Sequence, residues 1–434
     1  METTTLYRPV GPAELDLIKA SAWRRFPPRL PEQPIFYPVL NEEYATEITQ
    51  KWNVQQYGIG YVVRFRMQSD YLEKFPVQIV GDKIHEELWI PAEEMDDFNA
   101  RIVGTVEMIA KFSSNTPQLQ TNPFSHTRFI GGFFGLIIGD AAGAPYEGLP
   151  ADMIYKIGPA RKLVEQPQQK KLIYTDDTQM MIGVTKTLLE KGEIDPTFLV
   201  HEFADRYDPD RGYGQGMRTL LEKIAEGVNP ETATTAVFPM GSYGNGAAMR
   251  VAPIGLYFAE DLNRVAEEAA KSARTTHVHP LGVDGAVLLA IAVALAFRCE
   301  NGKIKRAEFV DELLQFAETE EFQWQLKTLR NTDRDTMVSF GNGLEAHRSV
   351  TTAIRVFIEE PDDYVAVISS AIGCGNDVDT IAAMAGSLSG AYLGFDAIPQ
   401  NLLVRLESDH EEGRSFLENL AEELWKKAPF CSNA

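Results

Sequence analysis

The sequence predicts a mainly α-helical protein in which a small α+β domain precedes a compact all-α domain. Three observations predict this order. Short β-prone runs occur within residues 1–111, a polar, proline-broken stretch without apolar period covers residues 112–124, and apolar residues recur at helical spacing over residues 125–434. We therefore expect an N-terminal domain, a linker and a helical domain with these bounds.

The N-terminal domain is predicted from runs of β-branched and aromatic residues. Residues 60–66 are Gly-Tyr-Val-Val-Arg-Phe-Arg and residues 77–80 are Val-Gln-Ile-Val, and both runs are typical of strands. A proline cluster spans residues 27–38, and helical periodicity is modest.

The helical domain is predicted from successive amphipathic segments. In one of them Met180, Met181, Val184 and Leu188 follow the helical period, and Gly192 is placed to end the helix. Further helices are predicted over residues 265–273, 285–297, 306–318, 352–358, 380–392 and 415–427. Two segments, residues 131–144 and 382–394, are rich in Gly, Ala and Ser. Because small residues permit close backbone approach, we expect both at the domain centre.

Composition limits the class of protein and its partners. The chain has 434 residues, with 41 Lys and Arg against 62 Asp and Glu, and a formal net charge of −21. Such acidity disfavours a broad nucleic-acid or anionic-membrane surface. Cys299, Cys374 and Cys431 lack short spacing, so neither a disulfide framework nor a zinc cluster is indicated. The chain start does not resemble a signal peptide, and the longest apolar run, residues 285–297, is short for a membrane span. We expect a cytoplasmic protein.

Two acidic segments stand where helices are predicted to begin. They are residues 174–178, Tyr-Thr-Asp-Asp-Thr, and residues 373–380, Gly-Cys-Gly-Asn-Asp-Val-Asp-Thr. Asp and Thr are ordinary helix-capping residues, which is one interpretation. Carboxylate and hydroxyl oxygens are also the ligands that magnesium, calcium or manganese prefer. Sequence spacing leaves open whether the two segments meet.

Other features each allow a structural and a functional interpretation. The glycine-rich residues 241–250 could present backbone N–H groups to an anion, or form a plain interhelical turn. Asp140 could be a buried structural acid, and Glu147 an exposed one on the loop beyond. His277 precedes an apolar helix and could be a packing residue or a catalyst.

Five segments, in this order, closely resemble motifs of the ADP-ribosylglycohydrolase family. They are residues 139–147, 174–178, 244–250, 276–277 and 377–380. The resemblance covers about residues 125–430, and Thr276 and His277, followed by Leu281-Gly282 and Gly285-Ala286, are most similar to the branch containing the ADP-ribosyl-serine hydrolases. It implies an all-α domain with two magnesium ions (Mg2+) in a central cleft.

The resemblance also implies roles for individual residues. The implied metal ligands are Thr175, Asp176, Asp177, Asp377, Asp379 and Thr380. The implied ADP-ribose-binding residues are Gly241, Ser242, Tyr243, Gly244, Asn245, Gly246 and His277. The implied catalytic residues are Asp379, Asp177 and Glu147, with Glu147 on a mobile flap that covers the cleft.

One departure from the family pattern lies in the second acidic segment. The family usually has Gly-Gly-Asp-Thr-Asp-Thr, whereas this chain has Asn376 in place of the second glycine and Val378 in place of the first threonine. The acidic residues are retained, so the metal site is expected. The bulkier Asn and the apolar Val could alter the turn, the rate or the metal preference.

The resemblance leads to the hypothesis of a magnesium-dependent hydrolase that releases ADP-ribose from a modified macromolecule or small acceptor. Cleavage of the anomeric bond passes through an oxocarbenium-like state. The metals would bind the ribose hydroxyls and a water whose proton passes to Asp379 or Asp177, while Glu147 would position the acceptor or the water. Arginine, serine, a nucleobase and a free metabolite all stay open as acceptors.

Two other classes of function stay open. One is a structural protein, because J-type crystallins share this fold, and the other is a reader that binds ADP-ribose without hydrolysis. Clustered carboxylates favour the enzyme, since they repel when no cation is bound.

The N-terminal domain resembles a small bacterial domain that occurs alone or joined to this hydrolase, through residues 6–10, 26–31 and 86–91. The opening strand with Arg8 and the segment near Trp89 also resemble, weakly, ADP-ribosyltransferase folds, which would make the chain bifunctional. The alternative is a module that binds and presents the modified acceptor.

Overall fold

The computed structural model describes residues 3–29, 35–54, 59–80, 85–113, 124–299, 304–332 and 339–431. The chain divides into two compact units, Met1–Gln120 and Thr121–Ala434. The last strand of the first unit ends at Ser113, so residues 112 and 113 of the expected linker belong to a strand. Residues 114–123 of that linker lie outside the described residues.

The first unit is a small α+β unit, as the sequence predicts. Its strands are β1 (Thr3–Val10), β2 (Ile35–Phe36), β3 (Ile59–Gln68), β4 (Gln78–Ile79), β5 (Glu86–Glu87), β6 (Ile90–Pro91) and β7 (Ile102–Ser113). Its α-helices are α1 (Pro12–Ala20), α2 (Glu42–Ile48), α3 (Ser69–Leu72) and α4 (Met95–Ala100). Strands β1, β3 and β7 form an antiparallel sheet with β3 in the middle, while β2 pairs with β6 and β4 with β5.

The central strand β3 contributes buried side chains to two apolar clusters, while its Arg64 and Arg66 are exposed. Val63, Phe65 and Met67 belong to the larger apolar cluster of the unit, whereas Val62 packs with Val39 in a smaller one. Because side chains alternate along a strand, one run of β-branched and aromatic residues supplies both clusters. This run is the strand predicted over residues 60–66.

Arg8 and Trp89 make contacts within this unit. The Arg8 guanidinium donates to Glu14 at 3.2 Å and to the carbonyl oxygen of Tyr37 at 2.9 Å. The Trp89 indole donates to Glu87 at 2.6 Å. The buried Arg8 is therefore held by internal partners, and the role of the unit stays a prediction.

The second unit is all-helical, which confirms the predicted class. Its α-helices are α5 (His126–Gly143), α6 (Ala151–Ile157), α7 (Ala160–Glu165), α8 (Asp176–Lys191), α9 (Pro196–Arg206), α10 (Gln215–Ala225), α11 (Pro230–Val237), α12 (Ala252–Tyr257), α13 (Leu262–Arg274), α14 (Pro280–Arg298), α15 (Arg306–Leu314), α16 (Glu320–Asn331), α17 (Ala346–Glu359), α18 (Tyr364–Gly373), α19 (Val378–Leu393), α20 (Gln400–Leu403) and α21 (Arg414–Lys427).

Helices α5 and α19 are almost entirely buried and touch along their backbones. A Cβ atom at Gly135 would overlap the backbone of Gly386, and one at Gly143 would lie 2.5 Å from the Cα atom of Asp379. This confirms that the two helices rich in small residues lie at the centre. The contact also fixes the beginning of α19, where the second acidic segment lies, beside the end of α5.

Some helix bounds differ from the predicted ones. The helix predicted over residues 306–318 ends at Leu314. Asp284, which is buried on α14, accepts hydrogen bonds from the backbone N–H groups of Glu318 and Thr319 at 3.3 and 2.9 Å. These bonds hold residues 318 and 319 directly before α16, where Thr319 is the N-cap residue. The helix predicted over residues 352–358 is only the second half of α17, which begins at Ala346.

Within the described residues, two helices are long and apolar enough to cross a membrane by length and composition alone, namely residues 126–146 and the 19-residue α14. The apolar run that the sequence analysis took as short is thus part of a longer helix. However, 89% and 78% of their apolar windows are buried inside the structure, as in the core helices of a globular domain, so they are weak evidence for a membrane span.

Candidate active site

A fully buried aspartate organises the first acidic segment. Asp140, on α5, accepts hydrogen bonds from the backbone N–H groups of Thr175 at 3.0 Å and Thr178 at 3.1 Å. It also accepts from their hydroxyls, at 2.8 and 2.5 Å. Burial raises the pKa of Asp140 to about 6 although these four donors act in the opposite direction. The contacts make Asp140 a structural acid that holds the beginning of α8.

The two acidic segments meet, although 203 residues separate Asp177 from Thr380. The Thr380 hydroxyl, on the first turn of α19, lies 3.2 and 3.4 Å from the two carboxylate oxygens of Asp177. The Thr175 hydroxyl lies 3.3 Å from the same carboxylate. The structure therefore brings together hydroxyl and carboxylate groups that the sequence could not connect.

Three carboxylates form a cluster at this junction, and we call Glu147, Asp377 and Asp379 the carboxylate cluster. Each offers one oxygen, and these oxygens lie within 4.8 Å of one another. Asp377 and Asp379 are buried, whereas Glu147 is exposed. The Oδ1 atom of Asp379 is buried and has no hydrogen-bond partner in the described part of the protein. A buried carboxylate oxygen without a donor is unfavourable unless a ligand satisfies it.

The buried acids of both segments oppose one another's ionisation. Burial first, and the charges of Asp377 and Glu147 next, raise the pKa of Asp379 well above its usual range. Burial raises the pKa of Asp377 to about 6. The pKa values of Asp176 and Asp177 are also raised, mainly by burial. A bound cation would favour the charged forms and reverse these shifts.

The donor atoms fit a hard divalent cation. The carboxylate cluster offers oxygens only, and the Thr175 and Thr380 hydroxyls lie on the adjacent segments. Oxygen donors of this kind are those that magnesium, calcium and manganese prefer. The carboxylate cluster contains Glu147, to which the resemblance gives a catalytic role. Asp177 is linked to the cluster by the hydroxyl of Thr380, the residue directly after Asp379.

A buried ion pair, which no sequence pattern indicates, lies behind the first acidic segment. Arg211 donates to Glu407 at 2.5 Å and to the carbonyl oxygen of Tyr174 at 2.8 Å, and its guanidinium lies 3.9 Å from the centre of the Tyr174 ring. Arg211 and Glu407 are both buried. Since 196 residues separate them, no local pattern could have identified the pair. It fixes the residue directly before Thr175.

The glycine-rich loop reaches the carboxylate cluster through Asn245. The Asn245 side-chain amide donates to Asp377 at 2.5 Å and to the Ser349 hydroxyl at 3.0 Å. The loop also packs on His277, because a Cβ atom at Gly246 would lie 3.1 Å from that ring. The loop and the histidine that the sequence singled out are therefore neighbours.

Several backbone groups of this loop are engaged within the protein. The N–H groups of Gly241, Gly244 and Asn245 donate to the Phe238 carbonyl, the Ser242 hydroxyl and the Leu344 carbonyl, respectively. These three groups are not free for an anion in this conformation. The Tyr243 side chain is 53% exposed and borders the loop.

His277 is a buried, neutral histidine. Burial and the charge of Arg250 lower its pKa to about 3. Its Nδ1 atom lies 2.8 Å from the Thr276 hydroxyl, which also accepts from Arg250 at 2.9 Å. A histidine that stays neutral near pH 7 can hydrogen-bond a ligand but is a poor general acid.

Comparisons with known proteins agree with this geometry. The sequence model of the family described as ADP-ribosylglycohydrolase matches residues 121–433. The chain belongs to the ADP-ribosylglycohydrolase family. Membership identifies the second unit as a hydrolase of ADP-ribose linkages.

Individual relatives of this ADP-ribosylglycohydrolase extend the comparison. It is 34% identical to ADP-ribosylhydrolase ARH3 of Homo sapiens over 327 residues, which cover 64% of this chain and 88% of the relative. It is 33% identical to an uncharacterised protein of Archaeoglobus fulgidus, over 69% of this chain and 96% of the relative. A solved structure described as an ADP-ribosylglycohydrolase-related protein complex has the same fold, with a TM-score of 0.53 and 23% identity over 70% of this chain and 98% of its own.

Proposed function

We propose that this hydrolase requires two magnesium ions and removes ADP-ribose from a modified acceptor by cleaving the bond at the anomeric carbon of the ribose. The observation that carries the proposal is the buried, unpartnered Oδ1 atom of Asp379 within the carboxylate cluster. The human relative is an ADP-ribosylhydrolase, which supports the substrate class.

Residues at the beginnings of α8 and α19 would hold the ions. They are Thr175, Asp176, Asp177, Asp377, Asp379 and Thr380. Bound magnesium would supply the positive charge that offsets these carboxylates and polarises the ribose oxygens. The hydroxyl contacts between Thr380 and Asp177 keep the two segments in register before any ion binds.

Asp379 is the better candidate for the group that accepts a proton from the attacking water. The Asp177 carboxylate already accepts from the Thr380 hydroxyl, and Asp377 accepts from Asn245. Asp379 retains an oxygen without a donor. A carboxylate with a free lone pair can take up the proton as the new bond to the anomeric carbon forms.

Glu147 is suited to the acceptor side of the reaction. It is the exposed member of the carboxylate cluster, whereas Asp377 and Asp379 are buried beneath it. A carboxylate at the opening can orient the leaving acceptor or the water without being sealed from solvent. The loop of residues 241–246 and His277 would bind the rest of ADP-ribose, with the neutral His277 acting as a hydrogen-bonding partner.

Calorimetric titration with ADP-ribose tests this proposal before the acceptor is known. We expect binding in magnesium and a marked loss of affinity after chelation. Serine-linked and arginine-linked ADP-ribosyl peptides would then be assayed for release of ADP-ribose. Binding without release from any acceptor would indicate a reader, and absence of binding under both conditions would contradict the proposed site.

A further inference from the structure

Asn376, one of the two residues that depart from the family pattern, has an unusual backbone conformation. Asn376 has φ of +62°, directly after Gly375 at +75°. Among residues other than glycine, Asn tolerates the left-handed region best. Asn376 can therefore occupy the position of the second family glycine without reshaping the turn.

The backbone of Asn376 is bonded on both sides to the loop that follows Glu147. Its N–H donates to the Leu149 carbonyl at 2.7 Å, and its carbonyl accepts from the Gly148 N–H at 2.8 Å. Glu147 directly precedes this bonded pair on one segment, and Asp377 directly follows it on the other. Two members of the carboxylate cluster are thus attached through the same two hydrogen bonds.

A side-chain contact fixes Asn376 from the other side. Its amide donates to the Oδ1 atom of Asn342 at 3.0 Å. The amide of Asn342 in turn donates to the Cys374 carbonyl at 2.6 Å, and the Asn342 carbonyl accepts from the Asp377 N–H at 3.2 Å. Asn342 therefore contacts three of the four residues 374–377. A glycine at position 376 would offer it no side chain.

We infer that Asn342 and Asn376 are positioning residues that hold Glu147 in place relative to Asp377 and Asp379. The inference rests on the proposed function, because it assigns their effect to the Glu147 carboxylate. Where the family has glycine, this chain has Asn376, which still adopts the left-handed conformation of the turn. Its side-chain amide is in addition bonded to the side chain of Asn342. Neither asparagine needs to touch the substrate.

The test uses the full chain with three variants and one control. Asn376→Gly keeps the left-handed turn and removes only the amide bond, while Asn342→Ala removes both side-chain bonds of Asn342. The third variant combines the two substitutions. Asn401→Ala is the control, because Asn401 also donates an exposed amide hydrogen bond to a backbone carbonyl, that of Glu165 at 2.9 Å.

Hydrogen exchange measures the attachment independently of activity. We expect the N–H groups of Gly148 and Asn376 to exchange on the order of tenfold faster in Asn376→Gly and in Asn342→Ala. Asn401→Ala should exchange like the unaltered chain. Unchanged exchange in both test variants would overturn the inference.

Kinetics then test whether the attachment acts through Glu147. We expect kcat for ADP-ribose release to fall about fivefold in each single variant. Because the two side chains act through one contact, kcat of the double variant should be no lower than that of the less active single variant. The Kd for free ADP-ribose, which lacks an acceptor, should change less than about twofold. In a Glu147→Gln background the same substitutions should have no further effect.

The outcomes separate this inference from the proposed function. An equal fall in kcat with and without the Glu147 carboxylate would refute the positioning role. If the unaltered chain releases no ADP-ribose from any acceptor, the proposed function fails, while the exchange measurement still decides whether the asparagine pair holds the loop.

Discussion

Replacing Asp379 by Asn tests the cation site through stability. The buried Asp379 and Asp377 have carboxylate oxygens within 4.8 Å of each other. Two unit charges at that distance repel by roughly 3 kcal/mol at an effective dielectric constant of about 20. Because the pKa values of both residues are raised, the two carboxylates are not both fully ionised and the actual repulsion is smaller. We therefore expect Asp379→Asn to stabilise the cation-free protein by only about 1 kcal/mol. The unfolding temperature should then rise by roughly 2 °C.

In magnesium the unaltered chain should become more stable than the Asp379→Asn variant. At about a hundredfold excess over its Kd, an ion that binds only the folded protein contributes about 2.7 kcal/mol to the unaltered chain. Asp379→Asn should lose most of this gain, because it removes the carboxylate with the unpartnered oxygen. Thermal unfolding with magnesium and with chelator measures both effects. Asp396→Asn, which removes an exposed charge, should leave both unchanged.

The same variant tests the proposed proton acceptor. We expect its turnover of an ADP-ribosylated peptide to fall about a hundredfold or more, which corresponds to roughly 3 kcal/mol of barrier. An unaltered magnesium-induced stabilisation would place Asp379 outside the cation site. Full turnover by the folded variant would refute its catalytic role.

Three further substitutions test the frame around the site. Thr380→Val removes the hydroxyl that lies 3.2 Å from Asp177, so calorimetry should show magnesium affinity about tenfold weaker, whereas Thr380→Ser should retain it. Gly139→Ala places a Cβ atom in the backbone of α19, so the free energy of unfolding should fall by about 3 kcal/mol, or the chain should not fold. Gly214→Ala, where no atom lies within 4 Å, should lower it by less than about 1 kcal/mol, and denaturant unfolding measures both. The pKa of His277 is lowered to about 3, so it contributes stability that is present above its usual pKa near 6.5 and is lost as pH falls towards 3, by up to about 1.4 kcal/mol per pH unit. His277→Gln should make the fall in stability between pH 6.5 and 5 shallower, and an equal slope in both proteins would contradict the lowered pKa.

Local patterns predicted the parts of the fold that local physics decides. Helix α8 ends at Lys191 and is capped by Gly192, which has φ of +72° as the predicted glycine cap requires. The strand β3 and the close pair α5 and α19 also follow from side-chain size and period. In contrast, the backbone before α16 depends on Asp284, and the position of Tyr174 before the first helix of the site depends on Arg211 and Glu407. These hydrogen bonds join residues far apart in sequence, so no window of the sequence contains both partners.

The candidate site divides in the same way. The two acidic segments were visible because each places oxygen-bearing side chains before a helix, and the resemblance assigned them to one site. The sequence allows Asp140 to be a buried structural acid, but its two threonine hydroxyl donors lie 35 and 38 positions away and appear only in the folded chain. The effect of Asn376 depends on Asn342, and their contact appears only when the two turns are folded together.

The treatment of other buried charges indicates why the carboxylate cluster calls for an external cation. Glu268 is fully buried and is paired with Lys271 and Arg264, each at 2.9 Å. Basic residues of the protein thus neutralise Glu268, and the buried Asp140 is satisfied by four hydrogen-bond donors from Thr175 and Thr178. Among the described residues, no Lys, Arg or His forms such an ion pair with Asp377 or Asp379, and Arg211 is committed to Glu407. Clustered buried carboxylates that no basic side chain neutralises are the arrangement expected of a site that binds divalent cations.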